Sequence, residues 1–384
     1  MTERIVAAFV PLVDCAVLVA AREQGFAAAE GLELKLVKEP SWASLRDHLA
    51  LGHVDCAHAL APLPVALTLG VGHLRVDCVV PFVLNRGGNA ITLATRVVEE
   101  MLAAAADALA GPAQAGRALA AVVRRREAPL TLGMVFPFSN HNFDLRYWLA
   151  AAGVHPDRDV RLVAIPPPLM VESLAAGLVD GFCVGEPWNS LAVAQGLGSI
   201  VATQSQLIPG VAEKVLAVRA AFAEPPEPLT RLLRALDAAA VWADEPAHHG
   251  ALAALLARPD YLGVPQPLIE AALGGRLRFG ADASRVDPEF VYFHRRAANV
   301  PSELDGLWAY AQMARWGQLA PSEQRQRGAA RVFRPDLYRR SVSIGGLHAR
   351  LPVAFDRIVF SPSDVAAYLR RFDMHTPFNE AQTS

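Results

Sequence analysis

LTLGMVFPFSNHNFDLRYWLAAAGVHPDRDVRLVAIPPPLMVESLAAGLVDGFCVGEPWN, residues Leu130 to Asn189, is the stretch around which the chain is organised. Its apolar run from Leu130 to Phe136 stops at Pro137. A polar corner, Ser139-Asn140-His141-Asn142, then opens a helical pattern with Phe143, Tyr147, Trp148 and Ala151 on one side. Gly153 and Pro156 end that helix, and the β-like run Val160 to Ile165 halts at Pro166-Pro167-Pro168. A second helix, Leu169 to Ala176, leads through Gly177 to a short strand, Val179 to Val184, and on to Gly185-Glu186-Pro187-Trp188. This is a β-α-β-α-β unit, with strand ends and helix starts facing one rim. Open α/β sheets bind ligands at that rim. A helix N-terminus there offers unpaired N–H groups and the positive end of a dipole, so an anion is the natural guest.

The same grammar occurs earlier in the chain. Ile5 to Val10 reads as a strand ending at Pro11, and Asp14 opens a helix that Gly25 closes. Leu32 to Val37 is a second strand, Ser41 caps the helix Trp42 to Leu51, and Val54 to His58 is a third strand. Val10-Pro11 matches Phe136-Pro137, Asp14-Cys15 falls on Asn140-His141, and Pro40 falls on Pro166. Leu49-x-x-Gly52-x-Val54-Asp55 falls on Leu174-x-x-Gly177-x-Val179-Asp180, with the offset near 125 residues throughout. Punctuating residues held in one register imply two similar α/β lobes.

Between the two units, Val76 to Leu84 and Ala90 to Ala94 read as strands flanking the Gly-rich turn Asn85-Arg86-Gly87-Gly88-Asn89. That turn suits a crossover between lobes or a loop facing a ligand. Lys214, before the strand Val215 to Val218, lies on the expected return crossover. Gly280 to Pro288 reads as a linker, and the helices of the last third are expected to pack back on the first lobe. The expected division is therefore 1–90 for the first part of lobe I and 91–205 for lobe II. Residues 206–384 make the return crossover and the remainder of lobe I.

The chain has 384 residues, 53% of them apolar, and a formal net charge of −2. That is enough for two domains with substantial cores, and it gives no global basic field for nucleic acid. Cys15, Cys56, Cys78 and Cys183 lack metal-ligand spacing and read as small core residues. The run from Ile5 to Ala21 is interrupted by Pro11 and Asp14 and has its own place in lobe I. It is read as part of the fold, not as a signal peptide, and a cytoplasmic location is the expectation.

Chemistry concentrates at few residues. His141, in the first turn of a helix beside Asn140, can converge with backbone N–H groups on one oxygen cluster, or can simply belong to a capping turn. Gly185 ends a strand where a ligand could approach the backbone closely, and it could equally be a turn glycine. Lys214 could bring a charge to the cleft or be solvated. His58 could donate to a ligand or be a buried strand residue. Glu186, which would repel an anion, is expected to face away or cap a helix. No Ser-His-Asp arrangement, G-x-S-x-G or H-E-x-x-H is present, and His53 and His248-His249 lack ligand partners, so neither an enzyme nor a metal centre nor a cofactor is expected.

Six segments carry a resemblance: PLVDCAVLVAAREQGF (11–26), SWASLRDHLALG (41–52), VDCAHALAPLP (54–64), FPFSNHNFDLRYWLAAAG (136–153), IPPPLMV (165–171) and VGEPWN (184–189). Together they resemble the nitrate/bicarbonate class of substrate-binding proteins over most of Ile5 to Val218. Within that class the chain looks most like the cytoplasmic nitrate/nitrite sensors of the NasS type. The resemblance implies a periplasmic-binding-protein type II fold, two α/β lobes with a ligand cleft. It implies nitrate or nitrite as ligand, and an ANTAR-type RNA-binding antiterminator as a partner sequestered until ligand arrives. The runner-up is the substrate-binding component of an ABC transporter for nitrate, nitrite or a related small anion. The family's anion-binding His matches His141, its glycine matches Gly185 and its lysine matches Lys214. A family tryptophan falls near Ala59, and a family glutamine falls within Asn85 to Asn89.

Overall fold

The structure, a computed structural model, describes residues 2–72, 74–224, 226–280, 283–342 and 352–378. Strands β1 (Glu3–Phe9), β2 (Leu32–Lys38), β3 (Cys56–Leu60) and β4 (Cys78–Gly87) open the chain. They are followed by β5 (Asn89–Ala94), β6 (Leu130–Met134), β7 (Val160–Ala164), β8 (Gly181–Gly185) and β9 (Gly198–Thr203). After β10 (Ala212–Arg219) come the short strands β11 (Arg276–Arg278), β12 (Ser284–Val286) and β13 (Val291–Tyr292). Lobe I carries a six-stranded sheet, β13-β4-β10-β3-β1-β2, and lobe II a five-stranded sheet, β7-β6-β8-β5-β9. This is the two-lobed periplasmic-binding-protein architecture that the sequence implies.

The internal repeat holds at atomic detail. In lobe I, β1 pairs in parallel with β3 at Ala7↔Cys56, and in lobe II β6 pairs with β8 at Leu132↔Gly181. Asp55 Oδ2 accepts the Val6 N–H at 2.8 Å while its own N–H reaches Val6 O at 2.9 Å. Asp180 repeats the ring with Thr131, at 2.7 Å in both directions. The aspartate thus closes the start of a parallel pair, where ladder bonds are still missing. Gly52 and Gly177, three residues ahead, terminate the preceding helices with φ of +76° and +69°, the left-handed conformation that glycine adopts without strain.

Three expectations need correction. Asn85 to Asn89 is not a loop: β4 runs through Gly87, β5 begins at Asn89, and only Gly88 separates them. The chain passes from one sheet to the other with φ of +74° at Gly87 and +101° at Gly88, and a Cβ on Gly87 would lie 2.1 Å from Phe290 O. Lys214 is not on a crossover but is the third residue of β10, paired with Leu60 on β3. Gly280 to Pro288 contains β12, which forms a hairpin with β11; residues 281–282 of that stretch lie outside the described residues. These segments look irregular in sequence because glycine and charge interrupt them, yet strand pairing with distant partners overrides the local signal.

The helices of the last third cover lobe I, with Pro226–Asp244 packed on Ala16–Glu23. The final segment reaches further. Phe355 N donates to Leu207 O, the Tyr147 hydroxyl donates to Asp356, and Thr376 donates to Asp157. The tail therefore ties lobe I to the outer face of the lobe II helix Asn140–Ala151. Among the described residues, no helix is long and apolar enough to cross a membrane.

Candidate functional site

The lobes meet face to face along the predicted rim. Val13 N donates to Glu186 O at 2.8 Å and Trp188 Nε1 to Pro11 O at 3.1 Å, both from one lobe to the other. Ser139 caps the helix Asn140–Ala151 by accepting the Asn142 N–H, which sets His141 in the first turn, facing lobe I. On the opposite side the turn Val13–Cys15 presents Asp14. Asp14, His58, Asn85, Asn89, Asn140, His141, Glu213 and Lys214 are all buried, as is the Trp42 ring.

Lys214 is the centre. Its Nζ lies 2.8 Å from Asp14 Oδ2 and 2.7 Å from Glu213 Oε1, and 5.6 Å from the centroid of the Trp42 ring. His58 Nε2 is 2.8 Å from Asp14 Oδ1. Glu213 Oε2 accepts from Asn140 Nδ2 at 2.9 Å and from Gln204 Nε2 at 2.8 Å, and Gln204 Nε2 also donates to Asp144. Asn85 Oδ1 accepts the Lys214 backbone N–H. Two successive residues of a strand normally point to opposite faces. Glu213 and Lys214 nevertheless reach the same cluster, because β10 bulges against β4: Ala212 pairs with Arg86 and Lys214 with Asn85, leaving Glu213 as the extra residue.

Charge states follow from this geometry. Burial would raise the Asp14 carboxyl, but Lys214 and His58 outweigh it and hold Asp14 well below the usual carboxylate range. Burial opposes ionisation of Glu213 too, and Lys214 with His141 brings it below its ordinary value. Lys214 is stabilised as an ammonium by the two carboxylates against the cost of burial. His58 is lowered by burial, and His141 is pushed down to about 3 by burial and by Lys214, so both are neutral. Burial and the Glu213 charge push Asp144 well above the usual carboxylate range, against the hydrogen bonds from Gln204 and Asn89. Glu186, raised to about 7 by burial, turns away and caps the helix Trp188–Ala194 through Ser190 N, as its position in sequence suggested.

Around this cluster stand buried polar atoms without a hydrogen-bond partner: Trp42 Nε1 and both ring nitrogens of His141. Such orphans are costly and mark a place built for another group. A Cβ on Gly185 would lie 3.0 Å from Leu12 Cδ2, 3.3 Å from Asp14 Oδ2 and 3.4 Å from Asn89 Oδ1, so the glycine lets lobe I close on β8. The structure thus brings His141, Gly185, Lys214, Asn140, His58, Asn85 and Asn89 together. Ala59 is buried in β3 and contributes no polar side-chain atom; the indole near the cluster comes from Trp42 instead. Sequence reasoning missed Trp42, Glu213, Gln204 and the charge of Asp14. The internal repeat pointed to Asp14 by aligning it with Asn140, whereas Glu213 had no signal because its inward turn depends on the bulge. Among the described residues, no group of three or more His, Cys, Asp or Glu side chains could hold a metal ion.

Two sheets closing on an enclosed polar cluster define a binding protein of the periplasmic type. Residues 2–257 match the NMT1-like family, and the chain belongs to it. The nitrate/nitrite binding protein NrtA of Synechococcus elongatus is 32% identical over 379 residues, which cover 94% of this chain and 84% of that protein. The nitrate import ATP-binding protein NrtC and the bicarbonate transport ATP-binding protein CmpC of Synechocystis are 38% and 37% identical over 96% and 97% of this chain. The chain spans only 55% and 56% of the length of those two relatives. The crystal structure of the periplasmic nitrate-binding protein NrtA from Synechocystis superposes with a TM-score of 0.90 at 28% identity, over 97% of this chain and 99% of that one. The alkanesulfonate-binding protein SsuA of Xanthomonas axonopodis shares the fold, with a TM-score of 0.58 at 16% identity, over 86% and 98% of the two chains. The kinship with nitrate- and bicarbonate-binding proteins read from the sequence is borne out.

Proposed function

We propose that this chain binds nitrate or nitrite between its lobes, as the anion-recognition part of an uptake system. The observation that carries the proposal is the pair of unpartnered groups, Trp42 Nε1 and His141, beside a single buried ammonium. A buried ammonium with a few N–H donors suits a flat, weakly basic monoanion, whereas tetrahedral dianions are favoured by clustered arginines. Closure of the two lobes on the anion converts binding into a change of shape, and only contacts special to the closed form can drive it. The relatives named for nitrate and bicarbonate import support the uptake role.

The sensing role, with an ANTAR-type antiterminator released when ligand binds, uses the same site and goes with the expected cytoplasmic location. Its support is the sequence resemblance alone, and the relatives favour uptake. Isothermal titration with nitrate, nitrite, hydrogencarbonate and sulfate tests the ligand; heat with sulfate alone would sink it. Trp42→Phe removes the N–H together with part of a fully buried ring, and is expected to weaken nitrate binding by about 1.5–3 kcal/mol, the worth of a hydrogen bond to a charged group, with the chain still folded. Unchanged affinity would place the anion away from Trp42.

A further inference from the structure

The enclosed cluster is not neutral. Asp14 and Glu213 both lie within hydrogen-bond reach of the one ammonium, Lys214, and the Asn140 and Gln204 amides hold the second oxygen of Glu213 as an acceptor. Two carboxylates against one ammonium leave an excess negative charge before any ligand enters. A monoanion doubles that excess in a chamber shielded from water, where like charges repel strongly. Nitrate cannot relieve it, because it carries no proton at ordinary pH.

We propose that nitrate binding between the lobes draws one proton from solvent, and that His141 holds it. This rests on the reading of the site as one for a small oxyanion. His141 Nδ1 lies 3.8 Å from Glu213 Oε1, and neither ring nitrogen has a hydrogen-bond partner. A neutral imidazole has one N–H and one lone pair. With the hydrogen on Nε2, the lone pair of Nδ1 faces the Glu213 carboxylate; with it on Nδ1, Nε2 has nothing to donate to an anion. Only the imidazolium presents an N–H on both sides, one for Glu213 and one for the ligand, and it supplies the missing positive charge.

The other groups around the ring are of both signs. Glu213 and Asp14 favour the imidazolium, Lys214 opposes it, and Asp144, one turn along the same helix, has its ionisation opposed by burial and by Glu213. In the closed site without ligand the ring is neutral, so the proton arrives with the anion. Glu213 thereby acts as a positioning residue, since it makes the proton necessary and turns the ring that holds it.

The test is calorimetric titration of nitrate into the purified chain at pH 6.5 in MES, ACES and imidazole, buffers with different heats of ionisation. The slope of observed heat against buffer heat counts protons, and about one proton taken up per nitrate is expected. The nitrate Kd should rise roughly tenfold per pH unit between pH 6 and 8. Glu213→Gln removes the excess charge while keeping the shape. It should bind with proton uptake near zero and a Kd at pH 8 at least about tenfold tighter than that of the parent chain. A residue with a merely structural role would not move the proton count. Binding with no proton uptake and no pH dependence overturns the proposal, as does binding that a metal chelator abolishes. Absence of nitrate binding at every pH, with the chain folded, instead brings down the ligand assignment and this inference with it.

Discussion

Replacing Lys214 with methionine tests the charge cluster directly. The ammonium sits fully buried between Asp14 Oδ2 and Glu213 Oε1, at 2.8 and 2.7 Å. Without it the two carboxylates face each other across roughly 5 Å, which at an effective dielectric near 20 is a repulsion of about 3 kcal/mol. Removing one member of a buried ion pair costs about 3–5 kcal/mol in general, so the two routes agree. For a chain of this size that corresponds to a fall in melting temperature of roughly 4–8 °C at pH 8. The pH dependence carries the sharper sign. In the parent chain Lys214 depresses Asp14 and Glu213, so their stabilisation is present above the ordinary carboxylate range and is lost as pH falls through the depressed values. In Lys214→Met the strongest force against burial is gone, leaving only His58 on Asp14 and His141 with the Gln204 amide on Glu213, so both groups rise and the variant loses stability as pH rises. The variant should therefore melt higher at pH 5 than at pH 8, and adding Asp14→Asn with Glu213→Gln should restore most of the loss. A variant that melts within about 1 °C of the parent at pH 8, or higher at pH 8 than at pH 5, would refute the argument.

Two further perturbations address lobe closure and the repeat. Gly185→Ala puts a methyl 3.0 Å from Leu12 Cδ2 and 3.3 Å from Asp14 Oδ2 across the cleft. Overpacking of that degree costs about 1–3 kcal/mol, and here it falls on the closed form. Nitrate affinity should drop by roughly tenfold or more while the melting temperature of the ligand-free chain holds; unchanged affinity would mean that Leu12 yields freely. Asp55→Ala and Asp180→Ala each remove the acceptor that closes the same backbone ring, one per lobe. Each should cost about 1–2 kcal/mol by urea unfolding, and the losses should add because the sites share no partner. A loss confined to one lobe would show that the repeat is a likeness of sequence without a shared mechanical role.

The lobes were legible because their limits are set by local chemistry. Proline stops strands, glycine ends helices at positive φ, and an aspartate closes each parallel pair; all of these are visible residue by residue. His141, Gly185 and Asn140 were legible for the same reason, since each lies at the end of an element. The return strand was placed correctly, but its chemistry was not. Period-2 alternation sends Glu213 away from Lys214, and only the bulge against β4, set by a partner more than a hundred residues distant, brings both into the cleft. Trp42 was hidden differently: at the start of an amphipathic helix an indole reads as core, and its N–H becomes meaningful only when no acceptor is found for it. Lys214 could be picked out as a cation, yet of its two counter-ions Asp14 lies near the start of the chain and Glu213, its neighbour, reaches it only through the bulge.

The passage between the sheets at Gly87-Gly88 has one more implication. Rotation about an axis moves each atom in proportion to its distance from that axis. Asn85 and Asn89 stand two residues before and one residue after those glycines, so any swing of the lobes about this passage leaves them almost where they are. Lys214, whose backbone N–H donates to Asn85 Oδ1, moves with Asn85 on lobe I, while His141 belongs to lobe II. The asparagines, with Lys214 beside Asn85, then form a floor that an arriving anion can touch first, and His141 on the other lobe is the jaw that comes down over an anion already seated.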